Sequence, residues 1–224
     1  MPSEQLAFTS VLQDSFRERA IDRYLTRYRA QYQEWSAEIT PAHGDQATIR
    51  GRVMFAILSA NTNFALALRA WQYAMSVPRV DADLLVTYGM VPAKAAWCNA
   101  VGTGETLTKR AEETDHTHRV RLQRTVKGLG LTKASFAVGL LSPTTADVAC
   151  IDTHMQHVYL GRTKFHALRL PEYLTVEAEV RKVAQRHDVG TFVAQWAIWD
   201  HARGHPEPHA FLAGAHKDTA WASW

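Results

Sequence analysis

In the stretch VKGLGLTKASFAVGLL, residues 126 to 141, two glycines, Gly128 and Gly130, stand just before an apolar helical run. Glycines allow a tight backbone turn and remove the side chains that would block close approach of another molecule. The unpaired amides opening the next helix then form a ready site for a phosphate oxygen. The plainer reading is a helix cap and turn. Ten residues on, CIDTHMQHVYLG places a lone carboxylate, Asp152, between apolar Ile151 and a second helical run, where its side chain can accept bonds from exposed amides. Alone, such an Asp is usually only a cap.

Other side chains could serve the same region. Arg119, Arg121, Arg124 and Lys127 precede the glycines and either extend a phosphate grip or form a solvated helix face. Trp196 and Trp199 fall on one face of a helix, either as core or as a wall on which a base could stack. His154 and His157 lie one turn apart beside Asp152, at a pocket, at a phosphate or in packing. His201, His205 and His209 recur every four residues, but Gly204, Pro206 and Pro208 break the helix that would align them on a metal.

Helices must position these groups. Ile21, Tyr24, Leu25, Tyr28, Tyr32 and Trp35 recur at three- and four-residue steps, predicting an amphipathic helix within residues 15–39. Residues 46–60 turn nearly all apolar toward a polar ending, NTN, so that helix should run into the interior. Further helices are expected over 64–75, at ADLLVTYG before Gly89, and at VPAKAAWCNAVG. TGETLTKRAEETDHTHRV reads as an exposed connection, and as a boundary between lobes, leading into a helix over about 118–126. Beyond the glycines and Asp152, VEAEVRKVAQRH and TFVAQWAIWDHARG supply two more. The sum is nine or ten helices with almost no strand signal: an all-α fold.

A helix, a G-x-G hairpin, an apolar helix, the short loop SPTTADVAC and then IDTH resemble the helix-hairpin-helix-GPD superfamily of DNA glycosylases over about residues 49–160. The resemblance implies a two-lobed helical fold with the pocket between the lobes. A single catalytic unit would span 1–224, the hairpin lobe covering about 45–160 and the N- and C-terminal helices forming the rest. It implies that the hairpin, with Gly128, Gly130, Lys127 and Arg124, grips duplex DNA, and that Asp152 lies at the mouth of a pocket receiving an extruded base. Breaking a glycosidic bond builds positive charge on the sugar, which a carboxylate beneath it stabilises while orienting or deprotonating water. FAILSANTNFALA is similar to the family's LSAQTTD segment, whose polar residue enters the gap left by the extruded nucleotide; Asn61 holds that place, a helix C-cap being its other reading.

One departure is informative. Bifunctional members carry a nucleophilic lysine two residues after the second glycine, where this chain has Thr132. Lys133 is one place later, and a one-residue step rotates a side chain by about 100°, enough to leave the pocket. Lys133 is therefore expected at a phosphate or in solvent, with a swing into the pocket as the competing arrangement. A monofunctional glycosylase follows, leaving an abasic site. A second resemblance, carried by KASF, IDTHM and QWAIWDHARGHPEPHAFL, is to phage-associated alpha-glutamyl/putrescinyl-thymine pyrophosphorylase-like proteins, some of them amino acid:DNA transferases. It implies either that activity on a thymine-derived base or a pocket shaped for a bulky hypermodified pyrimidine.

Composition narrows these readings. The 224 residues, 46% hydrophobic, can bury a core, and a formal charge of +3 allows an anionic partner without implying one. Cys98 and Cys150 are too few for a disulfide framework, or for the four-cysteine iron–sulfur loop common in the family, so no cofactor or metal is expected. The start lacks a signal-like pattern and no apolar run is long enough to span a membrane. A soluble, cytoplasmic monomer acting on double-stranded DNA with a modified base is expected. Three functions stand: glycosylase, transferase on a DNA base, and non-catalytic binding module, which has no need of an Asp facing a pocket.

Overall fold

A computed structural model describes residues 18–34, 45–164 and 166–203. They form eleven helices: α1 (18–34), α2 (Gln46–Leu58), α3 (Phe64–Ser76), α4 (Ala82–Thr87), α5 (Ala93–Asn99), α6 (Gly104–Leu107), α7 (Asp115–Thr125), α8 (Leu131–Leu141), α9 (Thr153–Leu160), α10 (Leu170–His187) and α11 (Thr191–Ala202), with no strand among the described residues. The fold is all-α, as the periodicity predicts.

α2 is the centre of the packing. From Val53 to Leu58 every side chain is buried, so this half of the helix has no solvent face, and α2 packs against α3, α5, α6 and α8. Each large apolar side chain it buries stabilises the fold by about 1.5–3 kcal/mol relative to exposure. Buried Arg52 donates to the Leu140 carbonyl (2.8 Å), satisfying an end of α8 that has no intrahelical partner. α7 and α8 form the two arms of the hairpin, and α11 lies against both α9 and α10.

α1 buries Ile21, Leu25 and Tyr32, as its spacing predicts, and is joined to later helices, whereas Trp35 lies outside the described residues. Asp22 pairs with Arg186 (3.2 Å) and His187 (2.9 Å), Arg29 with Asp188 (3.1 Å), and the Tyr32 hydroxyl donates to buried Asp200 (2.7 Å).

Two segments depart from expectation. The polar run over 103–118 is not simply an exposed connection. It contains α6, and α7 begins at Asp115, three residues before His118, because Thr114 caps it through the Thr117 amide (3.2 Å). Its polar side chains are tied inward: His118 Nε2 lies 2.7 Å from the Leu107 carbonyl, and Asp115 takes bonds from Lys109 and the Asp147 amide (both 2.8 Å). α10 also starts earlier than its apolar periodicity suggests, at Leu170, since Pro171 suits a first helical turn.

Candidate active site

The hairpin between α7 and α8 uses its glycines differently. Gly128 has φ +89, and a Cβ there would lie 2.7 Å from Trp97 Cε3, so the indole on α5 packs directly onto the turn. Gly130 is extended (φ −75, ψ 176), exposed, and has open space where a Cβ would stand. It is the N-cap of α8 and makes no side-chain cap bond, leaving the first-turn amides open to an outside acceptor. Arg124 and Lys127 are exposed beside it.

Arg119 and Arg121 do not extend this surface. Arg119 is fully buried and paired with Glu177, also fully buried. Arg121 is bound to Glu113 (2.6 Å) and the Thr108 carbonyl (2.7 Å), and its hydrogen bonds to Glu113 hold that carboxyl down to about 2. The first pair ties α7 to α10 and the second ties α7 to the segment just before it. A spacing rule cannot anticipate this, because Glu177 lies 58 residues from Arg119.

The approach to Asp152 is an extended stretch with each amide assigned to a buried partner. The Ala149 amide donates to Glu177 (2.9 Å), the Cys150 amide to Gln195 (2.6 Å), and the Ile151 amide to the Tyr173 hydroxyl (3.2 Å). That hydroxyl donates to the Ala149 carbonyl (2.6 Å) and lies 2.9 Å from Ser135 Oγ. α10 and α11 thus hold the chain as a strand would, without a sheet. Asp152 then caps α9, its Oδ1 accepting the Met155 amide (3.0 Å).

Asp152 opens onto a cavity of about 670 Å³. Thr132 and Lys133 line it too, as do Gly128, Gly130 and Asn61. The Thr132 hydroxyl donates at 3.4 Å to the Ile151 carbonyl, just before Asp152. The expectation that Lys133 turns away is not met: the cavity wraps the first turn of α8, and the lysine reaches across it to Ser59 Oγ (3.0 Å), with Nζ 5.2 Å from the Phe136 ring centre.

The opposite wall is aromatic. Trp196 lies 5.6 Å from Trp199 and 5.9 Å from Phe64, centre to centre, and His154 meets Trp199 edge-on at 5.9 Å. Trp196 is both core and lining, being 2% exposed, whereas Trp199 is half-buried with the Arg203 guanidinium 4.2 Å above its ring. His157 is exposed and away from the cavity, and His205 and His209 lie outside the described residues. Among the described residues no cluster of three or more His, Cys, Asp or Glu could hold a metal, and no helix is long and apolar enough to cross a membrane.

Asn61 is exposed, at φ +52, two residues beyond Ser59, which is the actual C-cap of α2. Sequence reasoning missed Lys94, Phe64, Phe136, Tyr173 and Gln195, all at the cavity wall. Burial, and then the charge of Lys133, pull the Lys94 ammonium down to about 8. Burial pushes the Cys150 thiol up to about 12, which keeps it protonated and a poor nucleophile.

No family model matches the sequence, and no curated protein matches it. Solved structures do. The 8-oxoguanine glycosylase/lyase of Methanocaldococcus jannaschii, in complex with DNA containing 8-oxoguanine, is 18% identical at a TM-score of 0.69, over 83% of this chain and 96% of that one. The 8-oxoguanine DNA glycosylase of Thermotoga maritima gives 18% and 0.69, over 87% and 99%. A further structure of the Methanocaldococcus enzyme gives 16% and 0.65, over 88% and 96%. Nearly the whole length of each is matched, so the chain has the helical fold of these 8-oxoguanine DNA glycosylases.

Proposed function

We propose that this protein is a DNA glycosylase that draws a modified base out of duplex DNA into the cavity and hydrolyses its N-glycosidic bond. The observation that carries the reading is the placement of Asp152 on the same cavity as the uncapped start of α8. The α8 amides bind a backbone phosphate while the Asp152 carboxylate faces the sugar. One carboxylate oxygen is committed to the Met155 amide, which fixes the direction of the other. As the glycosidic bond breaks, that oxygen stabilises the growing positive charge on the sugar and orients the attacking water.

The neighbours' substrate, 8-oxoguanine, is one candidate base. A cavity of about 670 Å³ falls within the range of roughly 300–1,000 Å³ typical of small-molecule sites, which leaves room for a bulky substituent such as that of a hypermodified pyrimidine. Thr132 lacks an amine, so base removal through Asp152 alone leaves an intact abasic site in double-stranded DNA.

A second reading is favoured by one observation, the Lys133 amine inside the cavity. Attack by that amine on the sugar would give a bifunctional glycosylase/lyase. Mass spectrometry of products from DNAs carrying ordinary, oxidised and hypermodified bases tests the proposal. Release of a free base supports a glycosylase; added mass on the DNA indicates instead an amino acid:DNA transferase, and neither indicates a binding module. Borohydride present during turnover separates the two glycosylase routes: a covalent adduct lost in Lys133→Ala establishes the lysine route, and free base without an adduct the Asp152 route.

A further inference from the structure

Between α2 and α3 the chain turns through residues 59–63, with Asn61 exposed in the left-handed region and at the cavity wall. Asn63 fixes the far end by capping α3 through the Leu66 amide (2.9 Å). The near end is more demanding, because the last carbonyls of a helix have no partner within it. Lys94, reaching from α5, supplies one. Its Nζ donates to the Leu58 carbonyl (2.8 Å), the Ala60 carbonyl (2.5 Å) and Thr62 Oγ1 (3.1 Å). Three ammonium protons meet three acceptors, two of them on the residues flanking Asn61.

This is an expensive way to close a helix. Lys94 is only 4% exposed, its charge is opposed by burial and by Lys133, and its three bonded partners are all neutral oxygens. An apolar side chain would fill the space without that penalty, but it could not gather three oxygens of one turn. Lys133 adds a fourth fixed point through Ser59. The two lysines therefore hold the turn from α5 and α8, with Asn61 at its apex.

We propose that Lys94 is a positioning residue for Asn61: its ammonium locks the turn that presents the Asn61 side chain to the space left when a nucleotide leaves the duplex. This rests on the reading of the cavity as the receiver of an extruded base. Lys94 itself touches no substrate. Its loss weakens discrimination between damaged and intact DNA, whereas a lysine that merely capped α2 would affect stability alone.

The test measures binding of the full chain to two duplexes, one intact and one with a tetrahydrofuran abasic analogue, by fluorescence anisotropy. Wild type is expected to prefer the analogue. Asn61→Ala and Lys94→Met should each reduce that preference about tenfold, and the double variant no further, since two residues acting as one unit are not additive. Affinity for intact duplex should stay within about twofold, because phosphate contacts carry no such information. Thr62→Val, a milder change at one acceptor, should give a smaller loss in the same direction and decides the matter if Lys94→Met does not fold. Multiplying losses in the double variant, or an unchanged preference in Lys94→Met and Thr62→Val, overturns the proposal. If wild type shows no preference and Asn61→Ala changes nothing, the DNA reading of the cavity falls. Hydrogen exchange then judges the positioning role by itself: lost protection confined to residues 59–63 in Lys94→Met upholds it, and unchanged protection there overturns it.

Discussion

Replacing each hairpin glycine by alanine should separate folding from the proposed DNA binding in a way that the geometry makes quantitative. At Gly128 the backbone has φ +89, and an L-residue in a left-handed conformation costs about 1–2 kcal/mol. The added Cβ would meet Trp97 at 2.7 and 2.9 Å, and the ring must shift, an overpacking penalty of about 1–3 kcal/mol. Gly128→Ala should therefore destabilise the fold by about 2–5 kcal/mol, read as a lower midpoint in denaturant with unchanged slope. At Gly130 the backbone suits alanine and nothing lies within 4 Å of a Cβ. The unfolded-state benefit of about 0.4–1 kcal/mol roughly offsets alanine's weaker capping, so stability should hardly change. The methyl group would, however, stand where a phosphate must approach the α8 amides. Gly130→Ala should weaken duplex binding about tenfold, equally for all sequences. A stable Gly128→Ala would refute the packing account; full binding by Gly130→Ala, or a loss confined to one sequence context, would refute the phosphate site.

Asp152→Asn should retain the α9 cap and DNA binding while turnover falls by about 10²–10³, measured as base release in a single turnover; near-normal release removes the carboxylate from the mechanism. Tyr173→Phe leaves the Ala149 carbonyl and Ile151 amide without their buried partner, and is expected to cost about 2–4 kcal/mol of stability and to lower kcat more than it raises KM, because Asp152 loses its support. Burial pushes the Asp200 carboxyl up to about 7 against an ordinary 3.8, so the native state holds the extra proton between those values. The stability that this group contributes is fully present below pH 3.8 and is lost as the pH rises through 7. Asp200→Asn should consequently melt above wild type at pH 8, by at most an amount on the order of 4 kcal/mol, and the gap should close toward pH 4.

How far the site could be read in advance depended on whether its residues are neighbours in the chain. The hairpin glycines, Asp152 and Asn61 each sit in a short motif whose local geometry is self-contained, a turn or a helix start, and the structure brings all of them to one cavity. Lys94, Tyr173 and Gln195 carry no such signal. Each acts on a backbone group 22 to 45 residues away, and only tertiary packing creates those pairings. Lys133 shows the intermediate case. A rotation of 100° per residue is correct for α8, but the cavity curves around the helix start, and a four-carbon stem reaches across it. Arg119 fails for a different reason: a basic residue one turn from exposed neighbours gives no hint that its guanidinium is buried against Glu177.

The bond from Tyr32 to Asp200 also has a meaning for how the molecule is made. Its partners are 168 residues apart in sequence. At about 5–20 residues per second, a ribosome needs roughly ten to thirty seconds to bring the second out after the first. Through that interval α1 has no α11 on which to close, and Tyr24 and Tyr32 lack their partners His201 and Asp200. Gln195, Trp196 and Trp199 also belong to α11, so a nascent chain lacks both the aromatic wall and the clasp on the Cys150 amide. Most of the cavity lining precedes α11 in the chain, but the cavity beside Asp152 is complete only once α11 itself emerges.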